Sequence, residues 1–357
     1  MTQSFAESHR VSQSYFLNIF LYLAFRQKGK WQKYILLLFI VSLFFSCKQE
    51  PKNVKFNGEV FGTAYSIQYF YEEDRDFQKQ FDSLFYVINK SMSTYQTNSD
   101  ISKINRNEDV VVDAHFVKVF NKSKEIYRYT EGAFDPTIGV MVNAWDFGPE
   151  GKIKYLDSLK IDSLMQFVGY NRVGLKEQKV IKEPNAFMDF NAIAKGYGVD
   201  VISEFLEKNK IENYIVEIGG EIRCKGINIE KEKPWKVGVE MPHFDGTQSI
   251  MKAISLHDEA MATSGTYRKY KTDEKGNRYS HIIDTKTGYP SMTNLLSISV
   301  IAEDCMTADG YATAFKAMGI EKVKQFLSQH SELKVFLIFE NDQKEFETLS
   351  LNGFPEE

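Results

Sequence analysis

The stretch LLSISVIAEDCMTADGYATAF (residues 295–315) joins an apolar run to a run rich in alanine. Residues 295–301 are apolar and β-branched, which predicts a strand. Residues 306–315 combine alanine, glycine and aromatic side chains, as closely packed helices do, and within them Asp309 and Thr313 stand four positions apart. Side chains with that spacing lie on one face of a helix. We therefore expect a strand followed by a buried helix that presents a carboxylate beside a hydroxyl.

The remainder of the chain predicts strands in hairpin-like runs with helices grouped between them. Helices are predicted over residues 77–88, 116–127, 155–169 and 191–210, with the 306–315 helix extended through 321–330. Strands are predicted over residues 60–71 with an interruption at Gly62, 180–190, 213–226, 235–242, 253–265, the first part of 280–290, and 333–340. Residues 93–105 and the Gly/Pro-rich stretches 132–139 and 143–151 are predicted to be loops. This order predicts an α+β fold, a single mixed α/β domain.

Composition excludes several classes of protein. The 357 residues are 43% hydrophobic and 14% aromatic, so a large core is expected. The net charge of -4 gives no indication of nucleic-acid binding. The cysteines Cys47, Cys224 and Cys305 are widely spaced, which favours neither a disulfide framework nor a cysteine metal site.

The N-terminal region is typical of an exported protein. Basic residues at 28, 30 and 33 precede the apolar run 35–45, and Ser46-Cys47 follows. This pattern predicts a secretory signal peptide, and the cysteine resembles the lipidated residue of a bacterial lipoprotein. The alternative is a short anchor, but the run is well below the roughly 20 residues of a spanning helix. We expect residues 1–47 to be an N-terminal extension with a lipoprotein signal, 48–56 a linker and 57–350 the folded domain.

Three stretches carry candidate chemistry, and each has a structural alternative. Asp309 and Thr313 are hard oxygen ligands suited to Mg²⁺, with Thr307 expected to cap their helix; the alternative is a capping carboxylate and a threonine bonded one turn back. Lys195, near a helix start, is either a phosphate ligand or a surface lysine. His281 is either a base or a core histidine.

Other motifs are weaker or missing. Asp135, before a proline in a glycine-bounded loop, is explained equally by turn chemistry. Asp189 follows a predicted strand end, where small neighbours would let a ligand approach the backbone. The glycine pair in VEIGGEI (216–222) lacks the third glycine of a dinucleotide fingerprint, and the sequence holds no G-x-S-x-G, P-loop or H-E-x-x-H motif. The residues by themselves predict no more than a Mg²⁺–phosphate enzyme.

Taken together, nine stretches resemble the ApbE family of FAD:protein FMN transferases. In chain order they are FGTAYSI (61–67), STYQTNSDISKIN (93–105), GAFDPTIGVMVNAWDFGP (132–149), DFNAIAKGYGVD (189–200), VEIGGEI (216–222), WKVGVEMP (235–242), ATSGTYRKY (262–270), SHIIDTKTGYP (280–290) and CMTADGYATAF (305–315). The resemblance implies an ApbE-like, T-fold-related domain. It also implies an enzyme that moves FMN from FAD onto a threonine hydroxyl of a flavoprotein subunit of a membrane electron-transfer complex, with release of AMP.

The resemblance also implies residue roles. Mg²⁺ would be bound by Asp309, Thr313 and the backbone carbonyl of Ala192, and His281 would be the base for the attacking threonine. FAD would be bound by Phe61, Tyr95, Ala133, Phe134, Asp135, Asp189, Lys195 and Ile283. The sequence departs from the family pattern where Phe61 replaces a common methionine, where Asn191 and Ala192 replace glycines, and where Thr266 replaces Asp or Asn.

Two other functions fit the same sequence. One is a Mg²⁺-dependent FAD pyrophosphatase, in which water replaces the threonine. The other is a flavin-binding lipoprotein without catalysis. Under all three we expect a protein lipid-anchored in the cell envelope, on the periplasmic face of a membrane.

Overall fold

An antiparallel sheet of eight strands runs through the part of the chain that the structure describes. The computed structural model describes residues 50–356 apart from 73–74, 152, 268, 273–275 and 277. Its strands are β1 (Lys52–Val60), β2 (Thr63–Tyr71), β3 (Gly174–Lys176), β4 (Lys179–Ile181), β5 (Tyr214–Ile218), β6 (Glu221–Lys225), β7 (Ile227–Asn228), β8 (Lys233–Glu240), β9 (Ile250–Leu256), β10 (Ala260–Gly265), β11 (Tyr270–Thr272), β12 (Arg278–Ser280), β13 (Leu295–Ala302), β14 (Lys334–Glu340) and β15 (Phe346–Leu351). The main sheet has the order β1-β2-β5-β6-β10-β13-β14-β15.

Helices cover one face of this sheet and a small sheet covers the other. The helices are α1 (Gln78–Met92), α2 (Asp100–Asn105), α3 (Ala114–Tyr129), α4 (Gly139–Ala144), α5 (Ser158–Met165), α6 (Ala194–Lys208), α7 (Cys305–Met318) and α8 (Ile320–Leu327). Helices α6 and α7 pack against each other and against β5, β6, β10 and β13. Strands β8 and β9 bury Trp235, Val237 and Ile254 against the opposite face. These layers confirm the predicted α+β class.

Strand β13 shows why the sheet is buried on both faces. All eight of its residues are buried. Ile298 and Val300 join the core beneath the helices, whereas Ile301 joins the core beneath β8 and β9. Alternate side chains of a strand point to opposite faces, so both layers are held by one apolar strand. The strand predicted at 295–301 and the helix predicted at 306–315 are confirmed.

The first strand and the turn after it differ from the prediction. The strand expected at 60–71 is the second arm of a hairpin, because Phe61 and Gly62 form a two-residue turn with φ values of 52° and 74°. Positive φ at both central residues is the geometry that joins antiparallel strands tightly. Strand β1 begins at Lys52, so it takes up most of the segment 48–56 that was expected to be a linker.

Several local predictions are wrong. The loop expected at 93–105 contains α2, which is capped by the Ser99 side chain accepting from the Ser102 N–H. Helix α4 lies between the predicted loops 132–139 and 143–151 and includes residues at the ends of both. The paired strands expected at 180–190 are β3 and β4, at 174–181, and Phe187 makes one isolated bridge with Ile138. Gly319, at φ 77°, separates α7 from α8 where one helix was expected.

The predictions about the N-terminal 47 residues, including Cys47, lie outside the described residues. Within the described ranges, no helix combines the length and apolar character needed to cross a membrane. Cys224 and Cys305 are both buried free thiols, in line with the absence of a disulfide pattern in the sequence.

Candidate active site

The N-terminus of α7 is closed by two carboxylates. Asp304 is its N-cap and accepts the Thr307 N–H at 2.8 Å. The buried Asp200, from α6, accepts the N–H groups of Cys305 and Met306 at 2.9 and 2.8 Å. The sequence predicted Thr307 as the cap of this helix, and that prediction is wrong. Because the helix begins at Cys305, Asp309 lies beyond its first turn. Because these N–H groups are occupied, the end of α7 is not a free phosphate-binding site.

Helices α6 and α7 meet at a point where one backbone hydrogen bond is diverted. The Gly196 N–H donates to Oδ2 of Asp309 at 3.0 Å. In a regular helix that N–H would donate to the carbonyl of Ala192, four residues earlier. Among the described residues, the bonds that enter the first turn of α6 from the preceding residues include Tyr197 N–H to the Ile193 carbonyl, but none ends on the Ala192 carbonyl. The contact between the helices thus leaves a carbonyl oxygen with unused acceptor capacity beside Asp309.

The same place brings together three oxygen donors of the type that Mg²⁺ prefers. Asp309 is buried, and its second oxygen, Oδ1, has no hydrogen-bond partner within the described residues. Thr313 lies one turn further along α7, with its hydroxyl 3.2 Å from that of Ser264 on β10. Carboxylate, hydroxyl and carbonyl oxygens are hard ligands, so the predicted residues fit a magnesium ion. Within the described residues no group of three or more His, Cys, Asp or Glu gathers, at this site or any other.

The charge of Asp309 is sensitive to what binds it. Burial raises the pKa of this carboxyl, while Lys195 and the Gly196 N–H act in the opposite direction. A buried carboxylate is costly unless a cation or hydrogen bonds compensate for lost water. A divalent cation at Asp309 would therefore remove an electrostatic penalty that the protein otherwise carries.

Lys195 is held at the edge of this site by a carboxylate that the sequence did not single out. Its Nζ lies 2.5 Å from Oε1 of Glu221, the first residue of β6. Burial alone would lower the pKa of Lys195, but Glu221 and Asp309 more than offset this and raise it. Lys195 is therefore a fixed ammonium group, and the interpretation of it as a solvated surface lysine is wrong.

His281 has the tautomer that a base requires. Its Nδ1 lies 3.0 Å from the carbonyl oxygen of Lys269. A carbonyl only accepts, so Nδ1 carries the hydrogen and Nε2 keeps its lone pair. Burial, together with the charges of nearby lysines, lowers the pKa of His281 to about 4, although the hydrogen bond to the Lys269 carbonyl acts in the opposite direction. At neutral pH the ring is thus uncharged and able to accept a proton.

His281 was expected on a strand, but it lies in a loop. Strand β12 ends at Ser280, and the following loop has a single bridge, between Ile283 and Pro290. The Ile283 side chain is buried among Met141 and Ile161, so it is part of the core, and only its backbone is available to a ligand.

A second group of predicted residues surrounds the carbonyl of Phe147. The Tyr95 hydroxyl and the Lys269 ammonium each donate to that oxygen at 3.3 Å. The Phe147 ring contacts the His281 ring edge-on, with centroids 6.2 Å apart. Burial raises the pKa of Asp189, while Asn191 and Lys269 lower it. Tyr95, Asp189 and His281 are therefore neighbours, although they are far apart in the sequence.

The 132–137 loop turns its carboxylate inward. Oδ1 of Asp135 accepts the N–H and hydroxyl of Thr137 at 2.7 and 2.6 Å, and Oδ2 accepts the N–H of Tyr170 at 3.1 Å. Phe134 is part of the main core, whereas Ala133 is half-buried. The Thr285 hydroxyl donates to the Gly132 carbonyl at 2.7 Å. The structure thus supports turn chemistry for Asp135 and places the loop beside the His281 loop.

Phe61 lines a cleft beside the first hairpin. Together with Tyr65, Phe85 and Tyr86, it surrounds an open space of about 530 Å³. Its ring also packs on α6, because a Cβ added at Gly198 would lie 2.6 Å from the Phe61 ring. Tyr95 is 57% exposed and does not line this cleft.

Lys316 is a further residue that sequence reasoning missed. It is fully buried, seven positions after Asp309 on α7, and its ammonium donates to the Thr293 hydroxyl at 3.2 Å. Burial lowers its pKa to about 8. The only sequence signal was its spacing, since residues seven apart share a helix face.

The sequence matches the ApbE family over residues 61–337. The chain belongs to the ApbE family. A Haemophilus influenzae relative named FAD:protein FMN transferase is 36% identical over 324 residues, which cover 87% of this chain and 92% of the relative. The solved structure of the flavin transferase ApbE from Vibrio cholerae is 34% identical, with a TM-score of 0.75 over 84% of this chain and 97% of that one.

Another solved ApbE structure supports the same assignment. The apo form of the Pseudomonas stutzeri flavinyl transferase ApbE is 26% identical, with a TM-score of 0.75 over 84% of this chain and 95% of that one. The family resemblance inferred from nine short motifs is therefore confirmed, together with the fold that it implied.

Proposed function

We propose that this chain is an FAD:protein FMN transferase that uses Mg²⁺ to move FMN from FAD onto a threonine hydroxyl of a flavoprotein, with AMP as the leaving group. The relatives named above support the reaction. The observation that carries the site assignment is the diverted Gly196 hydrogen bond, because it leaves the Ala192 carbonyl and the Asp309 carboxylate available together. A cation site of this kind would bind the diphosphate of a nucleotide, and a nearby base would accept the proton of a threonine hydroxyl.

In this proposal His281 acts on the attacking hydroxyl. Nε2 takes the threonine proton as the threonine oxygen bonds to the phosphorus of the FMN phosphate. The bond between that phosphorus and the bridging oxygen of the diphosphate breaks, and AMP leaves with that oxygen. Lys269 fixes the ring through its carbonyl, at 3.0 Å from Nδ1. A positioned base of this kind contributes about 10²–10⁴-fold in rate.

The other residues bind and orient the diphosphate. Mg²⁺, held by Asp309, Thr313 and the Ala192 carbonyl, would neutralise negative charge on the phosphate oxygens. Lys195 offers an ammonium group at the edge of the same site. Phosphoryl transfer depends mainly on such positioning and electrostatics. Tyr95 and Asp189 lie on the His281 side and are proposed to contact the flavin end of the substrate.

We further propose that the protein is anchored in the cell envelope by lipid on Cys47. The support is the basic, apolar and cysteine pattern of residues 28–47. Such an anchor would keep the enzyme beside a membrane electron-transfer subunit, which the family resemblance suggests as the acceptor.

A gel assay tests the proposed reaction. The protein is incubated with FAD, Mg²⁺ and an acceptor domain that carries a Ser/Thr-Gly-Ala-Thr/Ser sequence, and the denatured acceptor is examined for flavin fluorescence. We expect a fluorescent acceptor band that is lost when Mg²⁺ is chelated. Equal AMP release with and without acceptor, and no fluorescent band, would instead show an FAD pyrophosphatase. FAD binding without AMP release would show a flavin-binding protein.

A further inference from the structure

Glu221 is a buried carboxylate at a rigid position in the middle of the main sheet. It follows the turn formed by Gly219 and Gly220, whose φ values are 66° and 101°, and it pairs with Ile218 on β5. Strand β6 lies between β5 and β10, so the backbone has little freedom to move. The side chain is 3% exposed. Its carboxylate is therefore presented at a fixed point beneath α6.

Half of the Glu221 carboxylate has no partner. Oε1 lies 2.5 Å from Nζ of Lys195, whereas Oε2 is buried without a hydrogen-bond partner. Burial of a half-satisfied carboxylate destabilises a fold. Burial also raises the pKa of Glu221 to about 7, with Lys195 lowering it and Asp309 raising it. A buried carboxylate that carries this cost and leaves Oε2 without a hydrogen-bond partner points to a role at the site.

Lys195 has two carboxylates within electrostatic range. Glu221 binds its ammonium directly, and the charge of Asp309 also raises the Lys195 pKa. An ammonium group has three donors, so the bond to Glu221 leaves two for a ligand. Lys195 is 32% exposed, whereas Glu221 lies behind it. Without Glu221, the nearest compensating anion for Lys195 would be Asp309, whose Oδ1 is proposed to bind the metal.

We propose that Glu221 is a positioning residue that holds the Lys195 ammonium away from Asp309 and toward the diphosphate of the nucleotide. Glu221 touches neither the metal nor the reacting atoms, and its effect passes through Lys195. The inference rests on the proposed function, since it assumes a nucleotide and a metal at this site. The proposed roles of Lys195 and Asp309 do not by themselves involve Glu221. The inference adds that loss of Glu221 weakens metal binding and nucleotide binding together.

The test is a double-mutant cycle on binding rather than on turnover. FAD affinity in saturating Mg²⁺, and Mg²⁺ affinity with FAD present, are measured for the wild type, Glu221→Gln, Lys195→Met and the double variant. We expect Glu221→Gln alone to weaken both affinities about 10–100-fold, the range for residues that orient a ligand-binding group. In the Lys195→Met background the same substitution should change neither affinity by more than about 2-fold, because nothing remains to be positioned.

Two further variants separate a positioning role from a structural one. Glu221→Asp keeps the charge and should recover part of the lost affinity. Glu212→Gln, the same substitution at an exposed glutamate just before β5, should behave as wild type. Thermal unfolding of each variant identifies any loss that comes from misfolding, and an unfolded Glu221→Gln is replaced in the cycle by Glu221→Asp.

The outcomes are distinct from those that test the reaction. An undiminished effect of Glu221→Gln in the Lys195→Met background would show that its charge acts on the metal directly and would overturn the proposal. Wild-type affinities for Glu221→Gln would overturn it as well. Absence of FAD binding by the wild type would instead contradict the proposed function itself.

Discussion

Replacement of Gly196 by alanine probes the contact that shapes the proposed metal site. A Cβ at this position would lie 2.3 Å from the Cys305 carbonyl oxygen and 2.7 Å from Cβ of Asp309. Neither neighbour can rotate away, because one is backbone and the other is the first atom of a helical side chain. Ordinary contact begins near 3.4 Å, so α6 and α7 must separate by about 1 Å.

That displacement should cost more in activity than in stability. Overpacking of a closely packed interface costs about 1–3 kcal/mol of unfolding free energy. The same movement pulls the Gly196 N–H away from Asp309 and shifts the carboxylate relative to the Ala192 carbonyl. Misplacement of a catalytic group by about 1 Å costs about 10²-fold in rate. We therefore expect a folded Gly196→Ala variant with about 100-fold lower kcat and weaker Mg²⁺ dependence.

The assay combines urea unfolding with AMP release in the presence of acceptor, at several Mg²⁺ concentrations. Gly174→Ala is the matched control, because a Cβ there meets only Ile181, at 3.9 Å, and it should retain wild-type activity. A Gly196→Ala variant with wild-type kcat and wild-type Mg²⁺ dependence would refute the link between this helix contact and the metal site.

Three further predictions concern single residues. Asp309→Asn keeps an oxygen for the Gly196 N–H but removes the charge, so Mg²⁺ affinity, measured by calorimetry with FAD bound, should fall at least about 10-fold without loss of stability; unchanged affinity would exclude Asp309 as a ligand. His281 has a pKa lowered to about 4 by burial, so at saturating Mg²⁺ the acid limb of kcat/KM should lie well below pH 6.5, and His281→Gln should lose about 10²–10⁴-fold in kcat; a limb near pH 6.5 would contradict the assignment. Burial lowers the pKa of the Lys316 ammonium from 10.5 to about 8. At about 1.4 kcal/mol per pKa unit, keeping this group charged costs about 3 kcal/mol of unfolding free energy. Lys316→Met removes the charge, so the variant should be up to about 3 kcal/mol more stable at pH 7. Because the folded wild type binds fewer protons than the unfolded chain between pH 8 and 10.5, its stability rises over that range, and the difference measured by urea unfolding should shrink; a less stable Lys316→Met at pH 7 would refute this.

The elements that the sequence predicted correctly are those with a strong apolar period. Helices α1 and α3 each bury one stripe, and β13 is apolar along its length. Short elements were missed because local pattern does not decide them. Helix α2 depends on the Ser99 cap, and β15 is an edge strand with exposed residues. The β1–β2 turn was missed because Phe61 adopts positive φ, which is uncommon for an aromatic residue.

The site was visible only where its residues are close in sequence. Asp309 and Thr313 share a helix face, so their spacing was informative. Lys195 and Glu221 are 26 positions apart and lie on a helix and a strand. Neither sequence motif indicates that its residue pairs with the other. The orientation of His281 depends on a backbone carbonyl, which has no sequence signature. Asp135 shows the opposite case, where the carboxylate of a motif residue is occupied by Thr137 of its own loop and by the Tyr170 N–H.

The most direct test of the proposed transfer is peptide mass spectrometry of the acceptor after reaction with FAD and Mg²⁺. We expect FMN joined through its phosphate to one acceptor threonine, with one AMP released for each FMN attached, and neither product with His281→Gln. Free FMN and AMP in equal amounts beside an unmodified acceptor would contradict it.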